Sequence, residues 1–341
     1  MRRLILLLPI VLLLAALAGY VLRDEWHYAV KMPPEGYYLE VAPGDSLATL
    51  SKRLATDGVI RNAWMLNLYG RATGLDARLH SGEYRLTGNL TAAQILDFLS
   101  RGDVVSYNVT LPEGITLARA VEILSSAPGL DAVLTGPDDR RLLELAEGRQ
   151  SAEGLFLSET YHYVRGASDW EILRRAHTDL MATLNRLWAG RFLSLPYKEP
   201  YDALIMASII ERETGVPEER QQVAGVFIRR LQRGMRLQTD PTVIYGLGTD
   251  FDGNLTRVHL RDADNPYNTY RHGGLPPTPI ALAGVAALRA ALSPQDGSAL
   301  YFVARGDGTH VFSDTLEQHQ NAVRRYQLQR QTDYRSQPVR K

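Results

Sequence analysis

The stretch ALIMASIIERETG, residues 203–215, decides how this chain is read. From Ala203 to Ile210 it is apolar except for Ser208. Then come Glu211, Arg212 and Glu213, with Thr214 and Gly215 behind them. An apolar run of this length, closed by a charged last turn and a glycine, predicts a buried helix over 202–214 rather than a strand. On that helix Met206, Ile209, Ile210 and Glu213 share one stripe, while Glu211 continues the stripe of Leu204, Ala207 and Ser208. Two carboxylates two residues apart point to different sides, so they are not a catalytic pair. Both sit in the last turn, where the helix dipole disfavours exposed negative charge by ~0.3–1 kcal/mol. Glu213 also follows bulky apolar neighbours. Desolvation and dipole together would raise its pKa, the condition for a carboxylic acid that holds its proton at neutral pH. Two structural glutamates ion-paired to Arg212, Arg229 or Arg230 would give the same pattern, so spacing nominates Glu213 without choosing it.

Downstream, Pro217 opens a helix that runs to about Gln232 and stops before Gly234, in the usual order of proline first and glycine last. Irregular stretches follow: RLQTDPT at 236–242, NPYNTY at 265–270 and GGLPP at 273–277. Gln238, Thr239, Asp240, Tyr267, Asn268 and Tyr270 supply the amides, hydroxyls, carboxylate and aromatic rings that a sugar-binding groove uses. The same residues would also suit plain polar surface loops. Helix is expected again at 280–291, a short strand at 300–304, and a long amphipathic helix at 169–187.

The first third of the chain contains a repeat. YLEVAPGDSLA at 38–48 has a counterpart in NVTLPEGITLA at 108–118, with a weaker copy at 83–93. Each copy reads as an alternating strand, a turn, then a hydroxyl residue opening a helix; Ser46, Thr91 and Thr116 are the expected N-caps. The PGDSLATL pattern at 43–50 is similar to a LysM-like module, a small βααβ unit associated with N-acetylated glycans.

Composition narrows the chemistry. The 341 residues balance 38 basic against 38 acidic side chains, so no basic field recommends nucleic acid as a partner. No cysteine is present, which removes thiolate nucleophiles and disulfides. The eight histidines are scattered without metal-ligand spacing, and no dinucleotide or Walker loop occurs, so neither metal nor cofactor is expected. Ser208 lies outside any G-x-S-x-G context. At the N-terminus, Arg2 and Arg3 precede an uncharged run over 4–22, and Arg23, Asp24 and Glu25 close it. As a helix this run spans roughly 28 Å, close to the ~30 Å hydrocarbon core of a bilayer. The flanking charges place the N-terminus inside and the body outside the cytoplasm. The alternative is a cleaved signal peptide ending near Ala16-Leu17-Ala18.

Taken together, ASIIERET at 207–214, GMRLQTDPTVIYG at 234–246, YNTY at 267–270 and GLPP at 274–277 resemble the YceG-like endolytic murein transglycosylases. The resemblance extends over essentially the whole chain. It implies an α+β fold: a cytoplasmic N-terminus at 1–3, a transmembrane anchor at 4–22, a linker at 23–36, a LysM-like module at 37–105, a catalytic domain at 106–330 and a flexible tail at 331–341. It implies a single-pass inner-membrane protein with a periplasmic body, glycan strands of peptidoglycan as substrate, and peptidoglycan synthases as neighbours. It also implies non-hydrolytic cleavage of the β-1,4 bond between N-acetylmuramic acid and N-acetylglucosamine, with 1,6-anhydro ends, in strands still being made. In this family the second glutamate of the E-x-E motif is catalytic, which here is Glu213; Glu211 and Ser208 would support it from behind. One departure is visible: the family's F-P-D-T-Y-like segment reads LSETY at 157–161, which leaves Glu159 without an assigned role. Two other readings remain open. One is a muramidase-type hydrolase using Asp240 or Asp262 as second carboxylate, and the other is a non-catalytic glycan-binding scaffold.

Overall fold

Helix–cap chemistry sets most of the local structure. The computed structural model describes residues 27–328 together with residues 12, 13, 16, 17, 19–21, 23 and 24. The expected cytoplasmic N-terminus, most of the expected anchor at 4–22 and the expected tail at 331–341 lie outside the described residues. Among the described residues, no helix is long and apolar enough to cross a membrane. The architecture is mixed α and β, built from many helices and small two-stranded sheets.

In chain order the elements are β1 (Ala29–Lys31), β2 (Tyr37–Val41), α1 (Leu47–Thr56), α2 (Ala63–Thr73), β3 (Gly82–Leu86), β4 (Asn89–Thr91), α3 (Ala92–Arg101) and β5 (Ser106–Thr110). They continue with α4 (Leu117–Ser125), α5 (Arg140–Leu145), β6 (Thr160–Val164), α6 (Asp169–Ala189), α7 (Pro200–Glu213), α8 (Arg220–Gln232) and α9 (Asp240–Leu247). The last are α10 (Arg257–Arg261), α11 (Val285–Leu292), β7 (Tyr301–Ala304), β8 (His310–Ser313) and α12 (Leu316–Val323).

The chain divides into two compact units. One takes the chain through Tyr107 together with His162–Ala167; the other takes Asn108–Tyr161 and the chain from Ser168. In the first unit β2 and β3 pair antiparallel, Leu39 opposite Tyr84, with α1 and α2 between them in sequence. A second pair, β1 with β4, aligns Ala29 with Thr91. The core gathers Leu39, Leu50, Leu54, Tyr84, Leu86, Ile95, Leu96 and Leu99. Ser46, Thr91 and Thr116 do cap α1, α3 and α4, each accepting a bond from the backbone N–H three residues on.

The second unit is organised around α7. Pro200 starts it, where the missing N–H costs nothing. Nine consecutive residues, Ala203 through Glu211, are buried. The middle of α7 is therefore buried on every face, by neighbouring helices and by the segment at 280–284, and each Leu or Ile so buried contributes roughly 1.5–3 kcal/mol. One expected element differs. Residues 280–284 are not helical, and the helix begins only at Val285. Their backbone donors are taken by distant partners: Ile280 N–H by Ser208 Oγ at 3.0 Å, Leu282 N–H by the Ile115 carbonyl at 2.8 Å, and Gly284 N–H by Glu211 Oε2 at 3.1 Å.

Candidate active site

The last turn of α7 presents its two glutamates to different surroundings. Glu211 is 3% exposed and accepts from Arg220 Nη2 at 3.2 Å as well as from Gly284 N–H. Arg220 also reaches Glu113 Oε2 at 3.2 Å. Burial pushes the Glu211 carboxyl up and the Glu113 charge adds to this; Arg220 and the Gly284 N–H oppose both. A Cβ on Gly284 would fall 1.8 Å from Glu113 Oε1, so glycine is what lets the two approach. Glu211 is thus held in a buried ionic cluster. Ser208, one turn earlier, is fully buried and donates to the Ile205 carbonyl at 2.7 Å while receiving Ile280 N–H. Both residues hold the segment at 280–284 against α7.

Glu213 is only half-buried, and its hydrogen-bond partner is Thr239, whose Oγ1 donates to Oε2 at 3.1 Å. Its carboxyl is pushed up to about 7, first by desolvation and then by the nearby negative charge of Asp240. The Thr239 hydroxyl and the Arg230 guanidinium pull the other way and do not cancel the rise. Arg230 itself is buried, with Nε on the Leu300 carbonyl at 2.6 Å and Nη1 on the Leu237 carbonyl at 2.8 Å. A buried guanidinium spread over backbone carbonyls supplies positive charge beneath the site without neutralising Glu213 by direct pairing.

Residues 238–242 bring the remaining groups in. Gln238 has φ +53°, a left-handed backbone that is costly for a residue with a side chain and is typical of functional loops. That turn sends Gln238 N–H to the Thr269 carbonyl at 3.2 Å and puts buried Thr239 against Thr269, its N–H on Thr269 Oγ1 at 3.1 Å. Thr242 bonds Thr239 O at 2.8 Å and meets Thr269 Oγ1 at 2.9 Å. Three threonines thus lock the start of α9 to the loop at 265–270. On that loop, Tyr270 donates its hydroxyl to Asp240 Oδ1 at 2.7 Å. Burial and the Asp240 and Glu213 charges push the Tyr270 hydroxyl far above its ordinary range, so it stays a neutral donor.

The six groove candidates therefore separate. Asp240 and Tyr270 lie close enough to Glu213 to act on its charge, Thr239 touches it directly, and the exposed Gln238 side chain accepts from Arg230 Nη1 at 3.4 Å. Asn268 is fully buried, and its amide donates to the His259 and Asp262 carbonyls at 3.1 and 2.5 Å, so it shapes the loop from inside. Tyr267 bonds Thr278 Oγ1 at 2.8 Å and packs edge-on against Tyr245 with ring centres 4.8 Å apart. Asp262 caps its own turn, accepting from Asp264 N–H at 2.9 Å. Glu159 is exposed and accepts from its neighbour Thr160 N–H at 2.9 Å.

Sequence reasoning missed Glu153. This buried carboxylate takes Leu117 N–H at 2.9 Å and the Tyr245 hydroxyl at 3.3 Å, and burial pushes it up to about 7. Through Tyr245 it holds the far side of α9, the helix whose first residue is Asp240. Its only local signal was an acidic residue beside Gly154 ahead of an apolar run, which points to no role. Gly246, which closes the GMRLQTDPTVIYG pattern, has a packing role that the pattern alone does not give: a Cβ there would lie 2.0 Å from Asn265 Oδ1, so glycine allows the loop to close onto α9. Among the described residues, no three His, Asp or Glu side chains converge as metal ligands would.

The body is α+β, and near the end of α7 it places a half-buried carboxyl, raised to about 7, among tyrosine, threonine and aspartate and beside a buried arginine. The chain belongs to the YceG-like family, whose model matches residues 39–325. It is similar to the endolytic murein transglycosylase of Bacillus subtilis (28% identical, covering 84% of both chains). A second similar protein is the endolytic murein transglycosylase of Streptococcus pneumoniae strain D39 (22% identical), and the aligned region spans 83% of this chain but only 57% of that relative's length. A crystal structure of a YceG-like protein from Listeria monocytogenes matches with a TM-score of 0.55 at 29% identity, covering 85% of this chain and 99% of that one.

Proposed function

We propose that this chain is an endolytic murein transglycosylase that cuts the β-1,4 bond between N-acetylmuramic acid and N-acetylglucosamine. The observation that carries the reading is Glu213: a half-buried carboxyl raised to about 7, in a family whose similar members carry that activity in their names. Protonated Glu213 donates to the glycosidic oxygen as the C1–O bond breaks and an oxocarbenium-like centre develops. The glucosamine unit leaves with a new 4-hydroxyl. The C6 hydroxyl of the muramoyl unit then attacks C1, and its proton returns to the Glu213 carboxylate. A 1,6-anhydro ring closes and the acid is regenerated. Because an internal hydroxyl replaces water, one carboxyl serves both steps where ordinary glycosidases need two.

Thr239 orients the acid, and Asp240 keeps it protonated by charge. Tyr270 and Gln238 face the glycan, with Tyr267 and Asn268 fixing the loop that carries Tyr270. Glu211 and Ser208 act behind the helix. The run at 4–22 anchors the chain in the inner membrane with the body periplasmic, the βααβ portion at 37–105 is a LysM-like module, and cleavage ends nascent strands beside the synthases. Mass analysis of glycan ends released from purified sacculi tests this. Wild type should yield anhydro ends, one water lighter than reducing ends, and Glu213→Gln should yield none while melting normally. The position of Asp240 favours one competing reading, a hydrolase in which it activates water; reducing muramic ends from the wild type would select it.

A further inference from the structure

We propose that the outward face of α2 is a membrane seat, with Trp64 and Leu68 entering the interfacial layer of an anionic bilayer. The proposal rests on the reading of 4–22 as an anchor and goes beyond it. The inner face of α2, with Met65, Leu66 and Gly70, is buried. The outer face carries Trp64, 56% exposed, and Leu68, 54% exposed, one turn apart, with exposed Arg71 completing the row. Together the two side chains make a small apolar pair on the exposed face of α2. A tryptophan beside arginines is the composition of a bilayer interface.

Position identifies the occupant. Arg61, just before the N-cap Asn62, pairs with Asp24 at 3.7 Å and lies over the Tyr28 ring, 3.1 Å from its centre. Asp24 stands two residues after the apolar run ends at 22. Tyr28 and Val30 of the exit segment also line a small cavity with Met65, Leu66 and Tyr69 of α2. The start of α2 is therefore bonded to the chain just where it would leave the hydrocarbon core, and Trp64 is one residue into that helix. Exposed Arg71, in the same row as Trp64 and Leu68, favours anionic headgroups. A glycan-binding face would also use tryptophan, but nothing ties such a partner to the exit of the apolar run.

The test uses the full chain in vesicles of phosphatidylcholine and phosphatidylglycerol, in a Trp26→Phe background. Trp170 and Trp188, both in the second unit, serve as internal controls. Flotation first asks whether the chain is anchored. Phospholipids brominated near the glycerol end should then quench a blue-shifted component of the emission. Trp64→Phe should remove that component, and Arg71→Glu should weaken it at low salt. A chain that floats but is quenched equally with and without Trp64 overturns the seat and leaves the anchor standing. A chain that does not float overturns both. Shielding of Trp64 by a soluble chitooligosaccharide, with no lipid quenching, overturns the seat in favour of a glycan face. Circular dichroism of each variant must match the parent, which an exposed substitution should allow.

Discussion

Glu211 and Glu213 share one turn of one helix, yet their surroundings differ in kind. On the Glu211 side a buried guanidinium and a backbone N–H meet the carboxylate, with a second carboxylate bound to the same arginine. On the Glu213 side the direct partner is a hydroxyl, the nearest charge is negative, and the buried arginine is occupied with carbonyls. Burial raises both carboxyls, but Glu211 has a guanidinium and a backbone N–H bonded to it that oppose the rise, whereas Glu213 has only a hydroxyl bonded to it and a guanidinium that acts without direct pairing. The difference lies in the partners that packing delivers, since sequence context and helix position are nearly the same.

The largest break of this contrast is Glu213→Gln. Loss of the acid should lower kcat by about 10²–10⁴-fold. Stability should not fall. The folded pKa lies near 7 against an ordinary 4.5, so the native state binds the extra proton. The stabilising contribution is complete below about pH 4.5 and is lost as pH rises through 7. The inactive variant should accordingly match or exceed wild type in a melt at pH 8.

Next in size is Arg220→Leu, which strands the buried Glu211 charge. Removing one partner of a buried pair costs about 3–5 kcal/mol, read as a shift in urea midpoint. Adding Glu211→Gln should recover much of the loss, because no uncompensated charge then remains. If Arg220→Leu left stability unchanged while abolishing turnover, the two sides would have been assigned the wrong way round.

A finer comparison uses pH. Wild-type kcat/KM should fall on the alkaline side with a midpoint near 7 as Glu213 ionises. Asp240→Asn removes a negative neighbour and should move that midpoint down by roughly one unit. Thr239→Val removes a donor to the carboxylate and should move it up by a similar amount, on the order of one unit. Opposite signs from adjacent residues are hard to obtain by general loosening of the loop. The smallest expected effect is that of Ser208→Ala, about 1–3 kcal/mol of stability from an unpaired Ile280 N–H, with the pH midpoint unmoved.

Much of this was legible in the residues. The apolar run with its glutamates predicts α7, the hydroxyl residues after each turn predict three helix starts, and the YNTY and TDP segments mark the loops that meet Glu213. Helical phase puts Glu213 on an apolar stripe, but residues 203–211 of α7 are buried on every face and Glu211 is the more deeply buried of the two glutamates. Periodicity reports which faces are apolar, and a helix without a polar face cannot say which neighbour each side meets.

The sequence by itself determined the long helices, the three caps at Ser46, Thr91 and Thr116, the charged turn that ends α7 and the motifs that mark the family. These depend on interactions within a few residues, which composition and spacing record. Only the tertiary structure decided that Arg220 joins Glu113 to Glu211, that Thr239 and Asp240 meet Glu213, that Glu153 holds α9 through Tyr245, and that 280–284 is not helical. Arg220 stands 9 positions from Glu211 and 107 from Glu113, and Tyr245 stands 92 from Glu153. A pKa is set by every charge and dipole within a few ångströms, whatever their distance along the chain.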